Sequence, residues 1–249
     1  MSRLFCCCCF SSENSEDERQ PLLQPRPSEP NKPESARQTR PTHDDAETLR
    51  RSGRLVMRRV CVLEVDQRFS DVAETFNEQQ ERYEAMVRHI INLRQTYGCN
   101  HDDTLFLSEG VKKIREEHEA KYRVSLQMKG YDFSLSVVPL GSEGEQDEPL
   151  PPHLRLAQGE LRAASQDAKA TVSVGTKLQE LIGWLLRSEE RMAELVREAA
   201  PTYQEQGRLD ENLKETMKEV RRAKELSLGY KQRAGEVLTE AAQIAGASL

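Results

Sequence analysis

Four consecutive thiols, Cys6, Cys7, Cys8 and Cys9, are the residues of this chain whose type and spacing most directly imply chemistry. Leu4, Phe5 and Phe10 flank them, so the cluster is a short greasy patch with several sulfur acceptors for S-acylation. Each thioester-linked chain deepens membrane burial by about 0.8 kcal/mol per CH₂, and two or more palmitoyl chains give a stable anchor where one does not. The residue after the initiator is Ser2, so the N-myristoylation pattern that needs Gly there is missing. Arg3 is the only nearby cation, which leaves electrostatic attraction to lipid a minor contribution of this segment.

Metal binding is the competing chemistry for such a cluster. A zinc site needs further ligands, and no His or other Cys lies near enough in sequence to complete one. The other two of the six cysteines, Cys61 and Cys99, are isolated. That distribution does not read as a disulfide framework and suits a compartment that keeps thiols reduced.

Beyond the cysteines, Glu18 is followed four residues later by Leu22 and Leu23. The spacing resembles the acidic dileucine sorting signal that clathrin adaptor complexes recognise. In such a signal two leucines fill apolar pockets and the upstream acid meets a basic patch, all from an extended chain. Pro21 disfavours helix just before the leucines. The thirteen steps from Cys9 to Leu22 reach about 40 Å when extended, so an adaptor on the same membrane is within range. The run Cys8-Cys9-Phe10-Ser11-Ser12-Glu13-Asn14, with acids, Glu18-Arg19 and the two leucines behind it, also resembles the N-terminus of the lysosomal Ragulator anchor subunit family. The similarity covers about twenty residues. That family carries Gly at position two, where this chain has Ser2. The resemblance implies a late endosomal or lysosomal address and bears on nothing beyond the arm.

No other chemistry emerges. The chain has no phosphate-binding glycine loop, no HExxH, no GxSxG and, outside the cysteine run, no paired metal-ligand spacing. The five histidines, His43, His89, His101, His118 and His153, are scattered, and each reads as a surface or seam residue. We therefore expect no enzyme, no cofactor and no metal. A net charge of −6, a pI near 5.6 and the lack of an aromatic-plus-basic groove set nucleic acid aside. No run of about 18 apolar residues occurs, so no membrane-spanning helix is expected. The opening stretch is too short and too rich in cysteine for a signal peptide, which places the chain in the cytosol.

The elements that carry these residues follow from composition and period. Charged residues make up 31% of the 249, aromatics 5%, and the mean hydropathy is −0.74. Little apolar material is available per residue, and long helices with a narrow seam suit that balance. Residues 1–55 form the acylated arm, which holds the sorting signal. Their prolines, charges and hydroxyls cannot bury enough to offset ordering entropy, so the arm reads as disordered.

Residues 56–140 are expected to hold a coiled-coil helix, a second helix and a β-hairpin. From Val62 through Val65, Phe69, Val72, Phe76, Gln79, Tyr83, Met86, Ile90 and Leu93 to Tyr97, apolar positions recur at steps of three and four, with Gln79 the single polar break. Gln79 either sets register from inside the seam or faces solvent as a flaw in it. Gly98-Cys99-Asn100 is a stop signal, and a second helix is expected over about 103–121. The period then becomes two: Tyr122, Val124, Leu126 and Met128, then Tyr131, Phe133, Leu135 and Val137. A two-residue turn at Lys129-Gly130 would pair 128 with 131 and put all eight on one face, the alternative being that the preceding helix runs on through Met128.

Residues 141–152 read as an acidic linker, and 153–249 as a C-terminal helical coiled-coil region. Its seam runs through Leu154, Leu161, Ala164, Ala168, Leu178, Ile182, Leu185, Met192 and Val196 to Tyr203, then from Leu213 to Ile244. Pro201 divides it.

The expected fold is mainly α, a coiled-coil or helical bundle with a small hairpin. The expected role is a lipid-anchored scaffold or adaptor on the cytosolic face of late endosomal and lysosomal membranes, with Golgi or plasma membrane as alternatives, serving vesicle trafficking or organelle positioning. Its partners would be the membrane through S-acyl chains, clathrin adaptors through the dileucine, and other coiled-coil proteins or a second copy through the seam. Two rival readings are a tethering or fusion component, in which Gln79 forms a central polar layer with helices from an opposing membrane, and a cytosolic cytoskeleton-associated coiled coil.

Overall fold

The computed structural model describes residues 53–99, 105–140 and 149–247. In chain order the elements are α1 (Leu63–Thr96), α2 (Ser108–His118), β1 (Tyr122–Lys129), β2 (Asp132–Pro139), α3 (Pro152–Arg187), α4 (Glu189–Ala199) and α5 (Tyr203–Ala245). The fold is mainly α with one small antiparallel hairpin. At 1.5 Å per residue the 34-residue α1 and 36-residue α3 are each about 50 Å long, and the 43-residue α5 is about 65 Å.

The seam of α1 is buried, and what buries it is the same chain. Val65, Phe69, Val72 and Phe76 pack with Leu178, Ile182 and Leu185 of α3, Met192 and Val196 of α4, and Leu209, Leu213, Met217 and Val220 of α5. Met86, Ile90 and Leu93 form a second core with Leu154 and Leu161 of α3, Val237 and Ala241 of α5, and the inward face of the hairpin. Residues from both sides of 141–152 thus contribute to each core, so the chain on either side of this stretch belongs to one packed unit. The alanines of α3 and α5, among them Ala164, Ala168 and Ala234, let the backbones approach closely at the hairpin end.

Between the two apolar cores lies a polar layer. Gln79 of α1, Thr171 of α3 and Ser227 of α5 are all fully buried. The Gln79 Nε2 donates to the main-chain carbonyls of Thr171 (3.3 Å) and Ser227 (3.2 Å), tying α1 to both neighbours. The Thr171 hydroxyl turns back to the Asp167 carbonyl (2.7 Å). Gly175 makes room for the amide, since a Cβ there would collide with Gln79 Nε2. The break in the seam therefore faces inward.

Local signals explain the element ends. Arg94 and Gln95 carbonyls accept from Cys99 and Gly98 N–H, closing α1. Pro152 opens α3 at a position that needs no donor. Thr202 caps α5, accepting from the Glu205 N–H, and Pro201 separates α4 from α5 as its lack of a donor requires. Helix α2 begins later than the sequence pattern indicates, at Ser108. There, Glu240 of α5 accepts from the N–H groups of Leu107 and Ser108, both at 2.9 Å, and fixes the start from a distance.

The hairpin forms, with a register two residues away from the expected one. Gly130 and Tyr131 make the turn, so Lys129 faces Asp132, Met128 faces Phe133 and Leu126 faces Leu135. Gly130, at φ 61°, takes the first central position, where a two-residue turn demands a positive φ. Shifting a pairing by two keeps every side chain on its face. Val124, Leu126, Phe133 and Leu135 are accordingly buried, while Tyr131, expected on that face, sits exposed in the turn. On β2, the Phe133 N–H donates to Ser165 Oγ (2.8 Å) and the Leu135 carbonyl accepts from Gln158 Nε2 (3.1 Å), so α3 side chains satisfy the strand. The C-terminal seam is interrupted after Val196, where Ala199 and Tyr203 are exposed, and resumes at Leu209.

The layer makes a quantitative expectation. Gly175→Ala should lower stability by about 1–3 kcal/mol, the usual cost of overpacking a filled core. In a Gln79→Ala background the same change should cost far less, because the obstructing amide is gone. Urea unfolding of the four proteins measures this, and costs that simply add would show that Gly175 and Gln79 do not share the layer.

Candidate functional site

The acylation candidates Cys6, Cys7, Cys8 and Cys9 and the sorting residues Glu18, Leu22 and Leu23 lie outside the described residues. Of the seam, Val65, Phe69, Val72, Phe76, Gln79, Met86, Ile90 and Leu93 are buried, and Val62 and Tyr83 are half-buried. Tyr83 stacks on Tyr230 of α5 with ring centroids 4.5 Å apart, and Arg233 Nη1 reaches its hydroxyl at 3.4 Å. Desolvation, followed by the nearby Glu84, pushes the Tyr230 phenol above its usual range. Trp184, the sole tryptophan, is half-buried and covered by the Arg68 guanidinium at 3.9 Å, a cation–π contact.

One cluster of charged groups crosses the α1/α3 seam. His89 Nδ1 lies 2.6 Å from Glu160 Oε2 and its Nε2 3.7 Å from Asp167 Oδ2, while Arg82 Nη1 lies 3.3 Å from Asp167 Oδ1. His89 thus bridges two carboxylates set about two helical turns apart on α3. Among the described residues no group of three or more His, Cys, Asp or Glu is placed to hold a metal ion, and no helix is long and apolar enough to cross a membrane. His118 packs edge-on between Tyr97 and Tyr122, with Tyr97 Oη 3.5 Å from its Nε2, and is more enclosed than a solvated helix face would make it. Burial, aided by Glu117, pushes the Tyr97 phenol up to about 12.

The most distinctive recognition geometry was not legible in the sequence. Residues 53–60, whose first three fall within the stretch assigned to the arm, form an extended strap lying between α1 and α5. Two helix side chains clamp its main chain from both sides. Asn77 of α1 accepts from the Leu55 N–H at 2.9 Å and donates to the Leu55 carbonyl at 3.4 Å. Thr216 of α5 accepts from the Arg58 N–H at 3.1 Å and donates to the Arg58 carbonyl at 3.3 Å. Asn212 donates to the Arg59 carbonyl (2.9 Å), Arg222 to the Gly53 carbonyl (3.1 Å), and Asp66 accepts from the Val60 N–H (2.7 Å). Leu55 and Val60 drop into the core between the helices, 4% and 0% exposed. Arg54, Arg58 and Arg59 point out to solvent.

At the strap's end Cys61 turns the chain into α1 with φ 61°, the only described non-glycine residue at positive φ. A side chain with a Cβ held there costs on the order of 1–2 kcal/mol. The two described thiols therefore differ. Cys61 is exposed, whereas Cys99 is buried. Burial first, then Glu109, pushes the Cys99 thiol up against the opposing pull of Lys113 and Arg94, so little reactive thiolate forms at neutral pH. Iodoacetamide at pH 7.5 should accordingly alkylate Cys61 and spare Cys99 until denaturant is added. Peptide mass mapping reads the result, and equal labelling in the native protein would contradict the burial of Cys99.

No protein-family model, curated protein or solved structure matches this chain, so its function must be read from its own residues.

Proposed function

We propose that the chain is a lipid-anchored helical scaffold or adaptor on the cytosolic face of endosomal and lysosomal membranes, acting in vesicle trafficking or organelle positioning. The observation that carries this reading is the run Cys6 to Cys9 with Leu4, Phe5 and Phe10 beside it, at the end of an arm of about fifty residues. Acyl chains on these sulfurs hold an otherwise polar body at a lipid surface, and confinement there raises its effective concentration for any partner on the same membrane. Glu18, Leu22 and Leu23 supply the address through clathrin adaptors. The likeness of the arm to the Ragulator anchor subunit points to the same organelles.

The filled seam favours the adaptor over the tethering alternative. Zippering with helices from an opposing membrane requires an open seam on α1, and here α3 and α5 occupy it within the chain. Partners then meet the outer surface of the bundle. Exposed apolar residues there include Phe106, Leu140, Leu156 and Tyr203.

Acyl-exchange labelling in cells should detect thioesters on the arm, and changing Cys6 to Cys9 to Ser should move the protein from the membrane fraction to the soluble one. Unmodified sulfurs, or a quadruple variant that still pellets with membranes, would overturn the anchor. Leu22→Ala combined with Leu23→Ala should shift the protein from lysosomes toward the plasma membrane, and an unchanged distribution would remove the sorting signal from the account.

A further inference from the structure

We propose that the strap of residues 53–60 is exchangeable, and that the α1/α5 groove accepts the same segment from a second copy of this chain, giving a strap-swapped dimer. Three observations converge on this. The groove holds the strap as it would hold a guest peptide, through paired main-chain clamps at Asn77 and Thr216 and two apolar sockets filled by Leu55 and Val60. The connection to α1 is short, only Cys61 and Val62, and it bends at a residue held at φ 61°. A strained, short hinge is the condition under which exchange between identical chains costs least, because swinging the strap outward lets Cys61 return to an allowed conformation.

Identity of the occupant settles the chemistry. A strap from a second copy offers the same N–H and C=O groups to Asn77, Thr216, Asn212 and Asp66, and the same leucine and valine to the sockets, so every contact is regained. What changes is the loss of translational freedom on pairing, offset by relief at the hinge and by any rise in local concentration. The inference rests on the strap's geometry and is independent of lipid attachment. If the anchor reading also holds, crowding on a membrane drives the exchange further.

The experiment uses the full chain with Cys6 to Cys9 changed to Ser and a reporter pair, Arg58→Cys with Lys218→Cys, two solvent-facing positions outside the clamps whose sulfurs a short bismaleimide can join only when a strap is seated. Three hinges are compared: Cys61→Ser as the native-like reference, Cys61→Gly, which takes positive φ freely, and Cys61→Pro, whose ring forbids it. Light scattering and non-reducing electrophoresis are read together. Cys61→Pro should be dimeric with the reporter bond between chains, and Cys61→Gly monomeric with the bond within the chain. In the Cys61→Ser reference the between-chain share should grow in proportion to protein concentration. A monomeric Cys61→Pro, or dimers whose reporter bonds stay within each chain, would overturn the exchange. Should the proline variant fail to fold, the Cys61→Ser series decides alone, and a between-chain share that stays at zero on concentration sinks the proposal. Because this measurement needs no acyl chain, its failure leaves the anchor reading intact, and failure of the anchor leaves this result intact.

Discussion

Everything in this bundle depends on the burial of one helix face by its own chain. Helix α1 offers a seam at steps of three and four, and α3 and α5 close over it in two apolar cores. Helices α3 and α5 use their own apolar faces to do so. At about 25 cal/mol per Å² of apolar area removed from water, closing these faces together is a large favourable contribution to folding. The hairpin, α2 and the strap are then seated on surfaces that exist only because these helices have met.

Apolar packing by itself leaves helices free to slide by a turn, since one leucine socket resembles the next. The Gln79 amide removes that freedom. It is fully buried between the cores and bonds to main-chain carbonyls on both neighbours, while Gly175 provides the space. A slipped register would strand the amide against side chains that offer no acceptor, at a desolvation cost of about 1–3 kcal/mol. Burying a polar side chain to fix register is an arrangement best known from coiled coils, and this three-helix packing uses it within one chain.

How much of this was legible in the sequence depends on the range over which each feature is determined. The α1 seam, the stop at Gly98, the break at Pro201 and the hairpin are set by residues close in sequence, and periodicity with turn chemistry exposes them. The hairpin's register escaped because Gly130 serves two adjacent turns equally well on paper. Only the packing of Phe133 and Leu135 against α3, with Ser165 and Gln158 meeting the strand, selects the turn at Gly130-Tyr131. The start of α2 is set by Glu240, more than a hundred residues away, and nothing local marks it. The strap was the largest omission. Its first three residues, Gly53 to Leu55, read as the tail of a polar arm, and the residues that order the strap, Asn77, Asn212 and Thr216, lie on helix faces where a polar residue normally needs no explanation. A paired main-chain clamp is a tertiary event with no period.

The candidate functional residues divide in the same way. The cysteine run and the dileucine are linear signals, readable because they act without a fold. The His89 bridge between Glu160 and Asp167 joins residues that the sequence scattered, and no spacing rule connects them. Between the two classes stands the strap, a linear segment held by a groove in the folded body.

The central claim is that α1 is buried by its own chain and not by a partner. Hydrogen exchange across Phe69 to Leu93, followed while the full chain is diluted from micromolar to nanomolar concentration, tests it most directly. A seam closed within one chain keeps its protection unchanged on dilution. Protection that falls away as the protein is diluted would show that these residues pack between chains, and the bundle described here would not be the folded unit.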